Sequence, residues 1–128
     1  MSGLQMPRPD EAVLARREAI VAALRAIVPD GVIAEPVRMK VYEADALTAY
    51  TQLPMVVVLP ATVDQVSRVL AYCHAEGIRI VPRGAGTSLS GGALPLADGV
   101  LLSMMRFNRI LDIDLADRVA VVQPGVTK

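Results

Sequence analysis

Between Met55 and Val81 the spacing of apolar residues changes period twice. Met55-Val56-Val57-Val58-Leu59 is a continuous apolar, valine-rich run, the pattern of a short strand buried on both faces. Thr62-Val63-Asp64-Gln65 follows with a threonine and, three residues later, a glutamine, a capping box that opens a helix. Val63, Val66, Val69, Leu70 and Cys73 recur at three- and four-residue spacing as its buried stripe, and Gly77 closes it at the C′ position. Ile78 to Val81 reads as a second strand. Strand, helix and strand within roughly 30 residues make a βαβ unit, whose crossover is expected to be right-handed. Such a unit commits the chain to a sheet with helical cover.

The second strand runs straight into PRGAGTSLSGG, residues 82–92, where Gly84, Gly86, Gly91 and Gly92 put four of the chain's nine glycines into a nine-residue span. Each glycine costs conformational entropy on folding, so a plain surface turn does not need so many. A phosphate cradle, a flexible linker, or close packing of two backbones would use them. The loop follows the carboxyl end of a strand, where open α/β sheets bind ligands.

Elsewhere the patterning is simpler. Asp10 is the N-cap of a helix expected from Glu11 to Val28, with Val13, Leu14, Val21, Leu24, Ile27 and Val28 inward and Arg16, Arg17, Glu18 and Arg25 outward. Pro29-Asp30-Gly31 ends it, and the stretch from Val32 to Tyr50 is poorly patterned, with room for a short helical turn over Asp45 to Tyr50. After the loop, Gly99 to Ser103 reads as a strand. Ile110 to Asp114 and Val119 to Gln123 read as a hairpin joined through Leu115 to Arg118, with one wet face from the alternating Asp112 and Asp114.

Composition narrows the function classes. Thirteen basic and thirteen acidic residues leave no net charge, so nucleic acid has no electrostatic footprint to recommend it. A single cysteine, Cys73, excludes an intrachain disulfide framework and suits a reducing compartment. The longest apolar run, Leu53 to Ala61, is interrupted by Pro54 and Pro60 and falls far short of the roughly 20 residues that span a bilayer. A cytoplasmic protein is expected, with peripheral attachment at the inner face of the membrane open.

Three phosphate-binding templates can be laid on the loop. Gly86 and Gly91 have the Walker spacing, but Gly92-Ala93 stands where lysine and serine or threonine are required, which disfavours an NTPase. Gly84 and Gly86 match the start of a dinucleotide fingerprint, but Leu89 takes the third glycine's place and Ala93-Leu94-Pro95-Leu96 opens no helix. The third template is a nest, successive main-chain N–H groups pointing at one anion. Gly84, Ala85, Gly86, Thr87 and Ser88 offer five amides in a row, and two hydroxyls. A well-packed turn without a ligand fits the same residues.

VPRGAGTSLSGGALP, preceded by PMVVVLPATVDQVSRVLAYCHAEGI and followed by RFNRILDIDLADRVAVVQPGV, resembles the FAD-linked oxidases of the vanillyl-alcohol oxidase and p-cresol methylhydroxylase superfamily. Within it, the motifs are most similar to the FAD-binding subunit of bacterial glycolate oxidase and its D-lactate dehydrogenase relatives. The resemblance implies an α+β fold, an FAD-binding domain of the p-cresol methylhydroxylase type with the βαβ unit followed by strands of a mixed sheet. It implies a diphosphate role for Arg83, Gly84, Ala85, Gly86, Thr87 and Ser88, close backbone approach at Gly91 and Gly92, and a segment Pro124, Gly125 and Val126 passing beside the cofactor. Family members that attach FAD covalently often use a histidine in or near this loop; none stands here, so a non-covalent FAD is implied.

The same resemblance implies oxidation of a small 2-hydroxy acid, glycolate or D-lactate, to the 2-oxo acid by hydride transfer to FAD. Partners would include other glycolate oxidase subunits, an iron–sulfur subunit among them. No catalytic residue is expected in this chain, because the family's substrate-handling histidines and arginines lie in a later cap domain. The expected organisation is a helical segment over residues 1–31 and the first part of the FAD-binding domain over 32–128. The chain is therefore expected to be an amino-terminal portion, itself inactive, with exposed apolar edges. A flavin-free α/β binding or assembly module is the rival reading. Tyr42 and Asp45 resemble a family segment near the flavin domain or form a structural turn; Arg106 and Arg109 either assist a phosphate or sit on the surface. His74 reads as a solvated or capping residue and Cys73 as core.

Overall fold

The computed structural model describes residues 5–46 and 50–127. Asp10 caps the first helix as its sequence predicts, its carboxylate accepting from the Ala12 amide at 2.9 Å. The expected single helix is broken, however, into α1 (Glu11–Ala15) and α2 (Arg17–Ile27), with Arg16 at φ −97° and ψ 10° between them. Both ends of α1 are anchored independently of α2. The Asp10 amide donates to the buried Asp98 carboxylate, and Arg16 pairs with Glu76 at 2.8 Å. Arg17, expected to face outward, instead donates from Nε to the Met55 carbonyl and from Nη2 to the Ala34 carbonyl. Its long apolar stem lets the charged head reach the end of the sheet while its backbone stays on the helix.

The main sheet has the order β1-β2-β4-β3, from β1 (Val32–Ile33), β2 (Val56–Val58), β3 (Arg79–Arg83) and β4 (Gly99–Ser103). β4 runs parallel to both of its neighbours, and β1 is antiparallel to β2. The βαβ unit is therefore split, with β4 lying between the two strands it connects. The residues explain the order. β2 and β4 are buried along their whole length, as central strands are. β3 carries Pro82, which has no N–H to give a second neighbour and belongs at an edge.

Alternation along β2 divides the core between two faces. Val56 and Val58 join Ile20, Leu24, Val28, Val69 and Cys73 under α2 and α4 (Val63–Glu76). Val57 turns the other way, to Met39, Val81 and Leu101. Met39 ends α3 (Pro36–Met39), which continues as a 3-10 turn over Lys40–Tyr42; with β1, these are elements the sequence pattern did not reveal. The short turn expected over Asp45 to Tyr50 includes residues 47–49, which lie outside the described residues.

The start and stop of α4 follow the sequence. Thr62 accepts from the Gln65 amide, and Gly77 takes the left-handed conformation at φ 66°. Its stripe is narrower than expected, because Val63 is 76% and Leu70 44% exposed. At 100° per residue both lie about a quarter turn away from the Val66–Val69–Cys73 line that meets the sheet. β5 (Ile110–Asp114) and β6 (Val119–Val122) pair as the expected hairpin, with a register irregularity at Leu111. Every residue of both strands is exposed, so both faces of the hairpin are bare where one wet face was expected.

Candidate functional site

The parallel pair β3 and β4 ends in register at Arg83 and Ser103, and beyond those two residues a cleft of about 710 Å³ opens. One wall is the start of the glycine loop, Arg83 to Gly86. The other walls come from Met105, Asn108 and Ile110 after β4, from Gly125 to Thr127, and from Val41, Tyr42 and Ala44 to Ala46. A second hollow of about 280 Å³ lies against the loop itself, shared by Gly84, Ala85 and Gly86 and completed by Thr87, Ser88 and Gly92. Gly125 and Val126 border the main cleft, whereas Gly91 and Pro124 border neither cavity.

Two of the glycines are required by the backbone around them. A Cβ on Gly84 would sit 2.6 Å from the Pro124 carbonyl oxygen, and one on Gly125 would collide with the Met104 carbonyl. The loop and the 124–126 segment thus touch backbone to backbone, and Pro124 shapes the site from behind. Gly86 adopts φ 77°, a region that disfavours any side chain. Close packing therefore accounts for part of the glycine content.

Among the described residues, the main-chain amides of Gly84, Ala85, Gly86, Thr87 and Ser88 donate no hydrogen bond. A row of such amides on a concave surface is the donor set that an anion such as a diphosphate accepts from. Arg83 is arranged differently. It is 7% exposed, and its Nη2 donates to the carbonyls of Tyr42, Ala44 and Ala93. Burial pulls its pKa below the ordinary arginine value, opposed by the charges of Asp45 and Tyr42. The Tyr42 ring lies 5.9 Å from its guanidinium carbon, and the Tyr42 hydroxyl reaches the Met105 sulfur at 3.7 Å.

Tyr42 and Asp45, which the sequence left between a turn and a flavin-facing segment, both line the cleft. Ser103, Met105 and Asn108 were not singled out; their only sequence signal was their place at and just after the carboxyl end of a buried strand. Arg106 does not line the cleft; it donates to the Asp30 carboxylate and carbonyl. Asp112 and Asp114 are exposed on the hairpin, and His74 is exposed on α4. Cys73 is fully buried, and desolvation pushes its thiol up to about 11.

The sequence profile described as the FAD binding domain matches residues 54–128, the span that carries β2, α4, the loop and the hairpin. The chain belongs to this FAD-binding family. Its sequence is 50% identical over 111 residues to glycolate oxidase subunit GlcD of Escherichia coli, covering 86% of this chain and 22% of that one. It is 43% identical over 86 residues to the GlcD subunit of Bacillus subtilis, 67% of this chain and 18% of the relative. Mitochondrial D-2-hydroxyglutarate dehydrogenase of Bos taurus is 31% identical over 105 residues, 82% of this chain and 19% of that one. The chain thus spans about a fifth of the length of these relatives.

The solved structure of p-cresol methylhydroxylase with substrate bound superposes with a TM-score of 0.76 at 26% identity, over 95% of this chain and 24% of that one. A 4-ethylphenol oxidase from Gulosibacter chungangensis shares the fold, with a TM-score of 0.74 at 24% identity, over 95% of this chain and 24% of that one. The α+β architecture with a mixed sheet is that of a p-cresol methylhydroxylase-type FAD-binding domain, present in part. Among the described residues, no helix is long and apolar enough to cross a membrane.

Proposed function

We propose that this chain is the diphosphate-holding part of a flavin-dependent oxidoreductase that converts a small 2-hydroxy acid, glycolate or D-lactate, to its 2-oxo acid. The row of unengaged amides from Gly84 to Ser88, bordering both cavities, is the observation that carries the reading. Those amides would hold the FAD diphosphate, the Thr87 and Ser88 hydroxyls would add donors, and Gly91 and Gly92 would let the backbone come close. Pro124, Gly125 and Val126 would form the strip beside the cofactor, the first of them through its contact with Gly84. Bound FAD supplies the hydride acceptor. In this reading the FAD is held non-covalently, through these donors.

The organisation that goes with this is a helical segment over 1–31 buttressing a cofactor-bearing part over 32–128. Two relatives named for 2-hydroxy-acid chemistry, glycolate oxidase subunit GlcD and D-2-hydroxyglutarate dehydrogenase, support the substrate class. GlcD is a subunit of glycolate oxidase, which supports assembly with other glycolate oxidase subunits, of which an iron–sulfur protein would be one electron-transfer partner. Titrating the chain with FAD and with riboflavin, each followed by quenching of flavin fluorescence, tests the site. FAD should bind more tightly, because riboflavin lacks the diphosphate; equal affinity, or none for FAD, would remove the reading.

A further inference from the structure

We propose that Arg83 is a positioning residue, whose guanidinium clasps the base of the glycine loop and fixes the spacing of the 84–88 amides before any cofactor arrives. Its consequence for FAD rests on the flavin reading above; the clasp itself rests on geometry alone. Arg83 is the last residue of β3, and its own carbonyl is pinned by the Met104 amide at 2.8 Å. From that fixed point Nη2 donates to Ala93 at 2.8 Å, to Tyr42 at 3.0 Å and to Ala44 at 3.0 Å. Ala93 stands just past the far end of the loop, so one side chain ties the two ends together. Tyr42 and Ala44 belong to the opposite wall of the cleft, so the same nitrogen also sets the cleft's width.

The loop has little else to hold it. Inside it and at its exit, the described hydrogen bonds are Ser90 N–H to the Ser88 hydroxyl at 3.4 Å and Leu94 N–H to the Gly91 carbonyl at 3.1 Å. Four glycines would otherwise leave the segment many conformations, and a cofactor would have to select one of them. A cation sealed from water carries a desolvation cost that nearby acceptors and opposite charge offset. Here three carbonyls converge on Nη2, Asp45 is buried beside it, and Nε is left buried without an acceptor. With three acceptors for two protons, Nη2 has none left for a phosphate. Lysine cannot reproduce this arrangement, because a single ammonium on a flexible stem replaces a rigid planar fork.

Backbone order parameters from nitrogen-15 relaxation of the 128-residue chain without FAD, compared with Arg83→Lys, test the clasp. The 84–88 amides should drop from about 0.85 to below about 0.6, while those of β2, β4 and α4 keep their values. Unchanged order parameters in 84–88 would overturn the proposal, even if FAD affinity fell, since that pair of results describes a direct phosphate contact. If the variant unfolds, the wild-type chain still decides: slow rotation of a clasped guanidinium gives separate proton signals for the two Arg83 terminal nitrogens at low temperature. A single averaged signal would overturn it. Failure of the wild-type chain to bind FAD would remove the flavin reading and leave the order parameters to judge the clasp.

Discussion

Gly84 and Gly91 look alike in sequence and do different things. Gly84 has the Pro124 carbonyl where a Cβ would go; Gly91 has open space but φ 77°. Gly84→Ala should cost about 1–3 kcal/mol by overpacking and force the loop off the 124–126 strip. Gly91→Ala should cost only about 1 kcal/mol of backbone strain. Denaturant unfolding of the two variants checks the contrast. Cys73 gives a pH prediction. Its thiol stays protonated in the folded chain up to about 11 against an ordinary 9.0, because desolvation disfavours the thiolate. Above about pH 9 the unfolded chain releases this proton and the folded chain keeps it, so stability falls as pH rises from about 9 to 11. Below that window Cys73 contributes no pH dependence. Denaturation midpoints across the alkaline range should show this slope, and Cys73→Ala should flatten it.

Among the elements, α4 was the most legible and the hairpin the least predictable in its setting. Thr62, Gln65 and Gly77 mark the helix ends through local hydrogen bonds, which need no tertiary partner to be recognised. The hairpin was legible as a pairing, but its burial was not, because apolar residues on a strand do not say what faces them. Ile113 is 58% and Leu115 85% exposed. Ile113→Lys combined with Leu115→Lys should leave stability within about 0.5 kcal/mol of the parent, since neither side chain is packed. The same pair should lower the binding of an apolar fluorescent dye such as anilinonaphthalene sulfonate, which reads exposed apolar patches.

For the molecule as a whole, α2, α4 and the sheet share one core, with Leu24 and Val28 packed into the same cluster as Val56, Val69 and Val100. Val13 of α1 and Ile20, Val21 and Leu24 of α2 thus belong to the same interior as the sheet. Leu24→Ala should destabilise the chain by about 2–5 kcal/mol. It should do so in one transition, with the far-ultraviolet helix signal and tyrosine fluorescence changing at the same denaturant concentration. Two separated transitions would show that the helices fold apart from the sheet.

The sequence by itself determined the local events: strand segments from continuous valine runs, helix ends from caps, the turn residues of the hairpin, and a glycine-rich loop at the end of a strand. Motif order along the chain also carried the flavin family. Tertiary structure decided everything that depends on residues far apart in sequence. It placed β4 between β2 and β3, broke the first helix at Arg16, and brought the unpatterned 41–46 segment round to face the loop. It also turned Arg83 toward the carbonyls of Tyr42, Ala44 and Ala93. Period and capping report only on neighbours within about a turn or two, whereas sheet order and a side chain's partners depend on chain closure across tens of residues.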